Sequence, residues 1–407
     1  MYFNKEIIRT VKQKYLLFFP FLFFCITSPW PIVFRYALIL FLIAALFLIL
    51  VDRKTIFQAV KPRIFLISLY FLTLCLSLLW TDNIKSGLKV IERSLSFIVF
   101  PVLFLPIIEE GDLKKTLKKI LVVFACGVVF SVLYGYIYEF IYELYFPKNK
   151  WIEYITKNNV NYFFHNVVLK LDFHHSYLSL YCSVASIIFL FLKYEKNKRI
   201  YIVTGFFLLL QPLLFRSRIA TVLALLILLI WCFKKGKKLV VGIAILLLVV
   251  AAYFNNKLFD RFSNVLESSY NSERNIIWKS SLDLIKNNYI LGIGAGDVED
   301  DLVKKYKEYH FDKGVKIKYN THNQYLQTYL ISGLFGIIVL LYLLFSIFIP
   351  IKQRREELNI IFYSIFTLII ISFLTESMLQ RERGVFMFCM MYTMAMINSL
   401  EKRRLDE

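Results

Sequence analysis

Apolar residues in this chain run on for 13 to 27 positions at a time and are then interrupted by short clusters of Lys and Arg. The runs fall at 15–27, 32–51, 64–80, 91–108, 120–146, 173–192, 200–215, 219–233, 239–254, 326–350, 358–375 and 385–400. Twelve helices are predicted, because in lipid only a helix satisfies its own backbone without closing a barrel. Several runs are shorter than the roughly 20 residues a full crossing needs. Two connections break the pattern, 147–172 and the 71-residue segment 255–325. A structureless loop of that length is unusual, so the second is expected to fold. Trp278, Leu282 and Ile285 behind Ser272 predict a helix over 273–287, and Val298, Leu302 and Tyr309 behind Asp297 predict another over 297–309. Gly292, Gly294 and Gly296 separate them as a turn. The chain divides into spans 1–9 (1–254, with the smaller loop 147–172), the large helical loop (255–325), and spans 10–12 with the C-terminal tail (326–407).

Charge sets an orientation for these helices. If the N-terminus is inside, 26 of the 63 residues in the inside segments are Lys or Arg, against 21 of 123 outside. Short basic loops mark the cytoplasmic side, so both termini are expected there and 255–325 outside. Arg35 and Arg93 fall within spans in this reading. The first run follows Lys5, Arg9, Lys12 and Lys14 but no small-residue cleavage site follows it, which predicts an uncleaved first span.

Composition then excludes several classes. The chain is 58% apolar, 19% charged and 17% aromatic, with net charge +20. A basic nucleic-acid binder would not carry 40 Phe beside that charge; the charge is mostly topology signal, and membrane lipids are the surroundings it fits. The six cysteines share no short spacing and sit in apolar runs, as small buried hydrophobes do. There is no P-loop, no His-Glu-x-x-His and no Gly-x-Ser-x-Gly. Gly292-x-Gly294-x-Gly296 follows no strand. The inside loops are too short for a nucleotide-sugar domain, so a donor substrate would have to come from the membrane.

Candidate chemistry gathers on the outside. Asn320-Thr321-His322-Asn323-Gln324 stands where the large loop re-enters the membrane. Asn320 or Thr321 is expected to cap that helix, placing His322 in its first turn, where the dipole disfavours imidazolium and favours a ring that accepts a proton. The same position also suits a histidine that only hydrogen-bonds at the headgroups. Arg216 and Arg218, in Phe215-Arg216-Ser217-Arg218, fit a bidentate phosphate contact or snorkelling to lipid. Arg274, at the start of the 273–287 helix, fits a bound anion or a solvated surface position. Asp172-Phe173-His174-His175 lacks the i, i+3 or i, i+4 spacing of metal ligands, which leaves acceptor binding or interfacial packing. Asp297, Glu299, Asp300 and Asp301 read as a solvated helix start rather than a cation loop. The charges of Glu376, Arg381, Glu382 and Arg383 either pair among themselves or line the cavity of Arg218.

These residues, taken in order, resemble the O-antigen ligase and polymerase family of bacterial envelope proteins. The resemblance rests on the multi-span layout, the late outside loop, Arg216-Ser217-Arg218, Arg274 with Trp278, Leu291-Gly292-Ile293-Gly294-Ala295-Gly296, and His322-Asn323-Gln324-Tyr325-Leu326 with Gly333 and Gly336. It covers about 200–340 closely and the remainder by layout. It implies a GT-C-like fold and glycosyl transfer on the outer face of the bacterial inner membrane. The implied donor is a glycan on undecaprenyl pyrophosphate, and the implied acceptor is a sugar hydroxyl of lipid A–core or of another glycan. Neither nucleotide nor metal cofactor is implied. Arg218 and Arg274, with Arg216 as the alternative to Arg218, would hold the pyrophosphate. His322 would activate the acceptor, with Asn323, His174, His175, Glu376 and Arg381 as further acceptor or cavity residues. A lipid-linked oligosaccharide flippase is the rival of a different class, and the 71-residue outside loop counts against it.

Overall fold

Long apolar runs close their backbone hydrogen bonds internally, and the described residues of this chain do so as helices. The computed structural model describes residues 5–51, 62–108, 112–145, 160–192, 197–215, 217–234, 273–349 and 357–401, and no strand occurs among them. The first helices are α1 (Lys5–Thr27), α2 (Pro31–Val51), α3 (Ser68–Ser77, flanked by 3-10 turns Pro62–Ile67 and Leu78–Trp80), α4 (Ile84–Ser94), α5 (Ser96–Phe104) and α6 (Leu113–Tyr145). They are followed by α7 (Val160–Lys170), α8 (His175–Phe191), α9 (Lys198–Leu214) and α10 (Arg218–Lys234). The large loop contributes α11 (Glu273–Asn287), α12 (Val298–Glu308) and α13 (Asp312–Ile317); α14 (Gln324–Ser346), α15 (Glu357–Phe373) and α16 (Glu382–Glu401) complete the order. The predicted run 239–254 and the predicted cap Ser272 lie outside the described residues.

The expected twelve spans are not reached by length and composition among the described residues. Five stretches are long and apolar enough to cross a membrane: Pro31–Val51, Arg63–Trp80, Ile84–Ile107, Leu113–Tyr142 and Gln324–Ser346. A sixth is the pair Phe163–Lys170 and His175–Phe191, bent by 87°. The physical reason is helix length. α9, α10 and α15 have 17 residues each, about 25 Å of rise against a hydrocarbon core of about 30 Å. The helices nonetheless carry an apolar exterior. Ile39, Leu40 and Ile43 on α2, Leu133 and Ile137 on α6, and Phe335, Ile338 and Phe345 on α14 are all exposed, a surface that lipid covers and water does not.

Two helices form the centre. α8 is buried without interruption from Ser176 to Leu190, and α16 is buried over most of Val385–Ile397. Around them α8 packs on α6, α9, α10 and α15, and α16 packs on α5, α6 and α15. Lys118 pairs with Glu357 at 2.7 Å, joining the starts of α6 and α15 at one end of the bundle. At the other end the segments read as outside meet one another. Arg383 donates to the Ser28 carbonyl at 3.1 Å, and Arg93 to that of Gln380 at 2.7 Å. Arg93 thus lies within the Ile84–Ile107 stretch with its guanidinium met by the α15–α16 connection. The helix begins at Ile84 rather than 91, is strongly amphipathic, and breaks at Leu95 before α5.

The predicted helices of the large loop form, at Glu273–Asn287 and Val298–Glu308. α13 carries no periodic apolar signal, and the sequence reading omits it. Tyr306 closes this unit: it is fully buried, stacks edge-on with Phe311 and donates to the Tyr319 carbonyl at 3.0 Å. The glycine turn locks the unit onto the bundle. Ile293 N donates to the Leu330 carbonyl at 2.7 Å and Gly294 N to that of Ile331 at 3.2 Å, where α14 breaks at Ser332–Gly333. Asp297 does not cap its own helix through its side chain. Its carboxylate accepts instead from the backbone N–H groups of Asp82 and Asn83, at 2.8 Å each. The acidic run is thus a tether between the large loop and the α3–α4 connection, not merely a solvated helix start.

Candidate active site

His322 owes its position to two asparagines. Asn320 Oδ1 accepts from His322 N at 3.0 Å, and Asn323 Oδ1 accepts from Tyr325 N and Leu326 N at 2.9 and 3.1 Å. Asn323 is therefore the N-cap of α14. His322 stands one residue before the cap, outside the first turn in which Asn320 or Thr321 was expected to place it. The chain turns sharply here, with His322 at φ +45°. A buried polar layer holds the turn. Thr321 Oγ1 lies 3.0 Å from Ser377 Oγ, Asn323 N donates to Ser377 Oγ at 3.2 Å, and Leu379 N donates to Gln324 Oε1 at 2.8 Å. From the large loop, Trp278 Nε1 donates to the Thr321 carbonyl at 3.1 Å. Trp278 follows Arg274 by one helical turn, so one face of α11 supplies both groups.

The α15–α16 connection brings Glu376 to the imidazole. Glu376 Oε2 lies 3.5 Å from His322 Nδ1, and that nitrogen is buried with no closer polar partner. Glu376 Oε1 accepts from Ser176 Oγ at 3.1 Å and faces Arg274 at 3.9 Å. Arg274 also donates to the Thr375 carbonyl at 3.3 Å. Burial alone would push the Glu376 carboxyl up, but His322, His174 and Arg274 override it and hold it below its ordinary value. One ionised carboxylate thus joins an imidazole and a guanidinium at the same end of the bundle.

The start of α8 completes the cluster. His174 is extended, and His175 opens the helix. The two rings consequently lie side by side, with centroids 4.1 Å apart, rather than pointing apart as two helical neighbours would. His174 Nδ1 is buried without a partner. Arg381 lies over the Tyr177 ring at 5.9 Å, and Tyr177 donates towards the Ser377 and Met378 carbonyls at 3.3 and 3.4 Å. The remaining charges of this connection do not pair among themselves. Glu382 meets Arg35 at 3.2 Å, and Arg383 lies 3.7 Å above the Phe173 ring.

Of the residues predicted for the site, His322, Glu376 and Arg274 come together directly, and His174, His175 and Arg381 join their surroundings. Asn323 serves as the helix cap. Arg218 is the first residue of α10, and Arg216 lies outside the described residues. The sequence reading missed the roles of Ser176, Ser377 and Gln324. All three stand in segments that carry the family resemblance, but nothing in the sequence assigned them partners.

The helices and this cluster describe an all-helical membrane protein with a histidine, a carboxylate and an arginine gathered at one end. Residues 206–341, which include Arg274 and His322, match the O-antigen ligase family model, in support of the resemblance to the O-antigen ligase and polymerase family. No curated protein matches it.

The depressed Glu376 carboxyl predicts a pH dependence of stability. Glu376→Gln is expected to cost about 1–3 kcal/mol at pH 7 by weakening the bonds to a charged acceptor. A depressed group contributes its full stability above the unfolded value, about 4.3 for Glu, and loses it as pH falls through the folded value. The gap in melting temperature between wild type and variant, measured in detergent, should therefore persist to about pH 4.3 and close only below it. A gap already closed at about pH 5.5, above the ordinary range, would show that the carboxyl is not held down.

Proposed function

We propose that the protein is an O-antigen ligase-like glycosyltransferase. In this reading it moves a glycan en bloc from undecaprenyl pyrophosphate to a sugar hydroxyl of lipid A–core at the periplasmic face of the inner membrane. The observation that carries it is the placement of His322 Nδ1 and Arg274 on opposite oxygens of the one Glu376 carboxylate, within contact of the region that matches the family. The protein is then a GT-C-like enzyme of about twelve spans, with both termini cytoplasmic and 255–325 periplasmic.

The chemistry follows from those neighbours. With Nδ1–H directed to Glu376, His322 Nε2 is left as the proton acceptor. The acceptor hydroxyl gives its proton to Nε2 as its oxygen attacks the anomeric carbon. The bond from that carbon to the pyrophosphate oxygen breaks, and the leaving group departs with the electron pair. Attack from the opposite face inverts the centre. Arg274, with Arg218 or Arg216, meets the charge that grows on the pyrophosphate; such preorganised donors are worth most where charge develops. The reaction is written without a metal, as the family resemblance implies.

A repeat-unit polymerase of the same family is the second reading, since the Arg and His motifs serve either acceptor. The order Arg274, Trp278, His322 resembles ligases more closely. Loss of the gene separates the two. A ligase deletion should strand long glycan on undecaprenyl pyrophosphate, whereas a single repeat on the lipid core would identify a polymerase. Movement of donor across liposomes by the purified protein, with no glycosidic bond formed, would instead mark a flippase.

A further inference from the structure

A second concave site lies away from His322. It is a groove of about 900 Å³ between the α3–α4 connection and the glycine turn, lined by Trp80, Asp82 and Asn83 on one side and Asn287, Asn288 and Tyr289 on the other. That size is at the upper end of small-ligand sites. Most of its carboxylates are already committed. Asp297 binds the backbone of Asp82 and Asn83, Asp300 accepts from the Asn83 amide at 3.1 Å, and Asp301 pairs with Lys304 at 2.7 Å. What remains open is the Asp82 carboxylate, the Asn287 amide, the exposed Tyr289 ring and the face of Trp80 that lines the groove.

We propose that this groove is a saccharide-binding subsite that holds neutral sugar units of the glycan beyond the reacting one. Aromatic faces against carbon-bound hydrogens, with a carboxylate and amides for hydroxyls, suit a polyhydroxylated ring. The excess of carboxylates over the single lysine disfavours pyrophosphate, which Arg274 at the other site suits. Position agrees. Gln324, beside the His322 loop, contacts Tyr70, and Trp80 stands about 15 Å of helical rise beyond Tyr70, at the loop end of the bundle. A chain whose first sugar sits at His322 would pass the groove on its way out. The inference rests on the glycan-transfer reading for its ligand, though not for its test.

The test is binding without transfer. The probe is the free oligosaccharide released by mild acid from the host's own lipid-linked pool, titrated into full-length protein in detergent and followed by Trp fluorescence and by calorimetry. Wild type and Lys316→Ala, an exposed α13 residue that does not line the groove, should bind alike, while Asp82→Ala, Tyr289→Ala and Trp80→Phe should each weaken binding by about tenfold, the loss of one good polar or stacking contact. Trp80→Phe keeps an aromatic ring but shortens the stacking face and removes the N–H, so its melting temperature is measured beside the binding. Binding by the groove variants equal to that of wild type, or no binding by wild type, would overturn the subsite. Failure of wild-type protein to transfer glycan in a separate assay would overturn the transfer reading and leave this measurement standing.

Discussion

Replacing His322 with alanine is expected to abolish glycan transfer while the protein still inserts and folds. The loop does not depend on the imidazole for its shape. Its backbone is held by Asn320, by the Asn323 cap, by the Thr321–Ser377 contact and by Trp278, and each survives the substitution. Histidine and alanine are both non-glycine residues at the positive φ, so little backbone strain is added or released. What is lost, in the proposed mechanism, is the group that takes the acceptor proton. A positioned base contributes about 10²–10⁴ in rate, so turnover should fall by at least about 10². Glu376→Gln should fall less, because it keeps the base and loses only the charge that orients it; Glu376 is a positioning residue in this scheme. The measurement is transfer by purified protein, with melting temperature and membrane yield as controls. Transfer at the wild-type rate by His322→Ala would remove His322 from the mechanism.

The cluster was only half legible in the sequence. Periodicity gave α11 its bounds, because Trp278, Leu282 and Ile285 recur at helical spacing, and polarity flagged the block from Asn320 to Thr328. Its partner could not be read the same way. Ser377 and Leu379 lie more than 50 positions from the residues they bind, and no local spacing records such a pairing. The side-by-side rings of His174 and His175 were hidden for a similar reason. The helix starts at His175, two residues later than a continuous helix from Phe173 would, and that boundary reverses the expected geometry. Length leaves the count at five or six spans among the described residues. Apolar composition announces a buried or lipid-facing helix, but 17 residues do not fix a crossing.

Gly333→Ala is expected to be among the most damaging single-methyl changes at the described residues, although Gly333 touches none of the proposed chemistry. Gly333 adopts φ +58° and ψ −152° within α14, a region that side chains other than hydrogen essentially do not enter. A Cβ there would stand 2.1 Å from the Ile290 carbonyl oxygen and 2.6 Å from the Leu291 carbonyl carbon. Both are backbone atoms, so no rotamer change relieves the overlap. Retreat is blocked as well, because Leu334 N donates to the Tyr289 and Ile290 carbonyls at 3.0 and 3.1 Å. Strain of about 1–3 kcal/mol adds to the overlap, and the total should exceed about 4 kcal/mol. The adjacent Ser332→Ala removes only a long bond to the Thr73 carbonyl, 3.4 Å, and should cost no more than about 1 kcal/mol. The turn that Gly333 admits carries the large loop, and with it Arg274 and the Trp278 contact to Thr321. Gly333→Ala should therefore lose transfer together with thermal stability, whereas His322→Ala loses transfer alone. A Gly333→Ala protein melting within about 2 °C of wild type, less than 1 kcal/mol in a chain of this size, would mean that the turn is not seated in the break of α14.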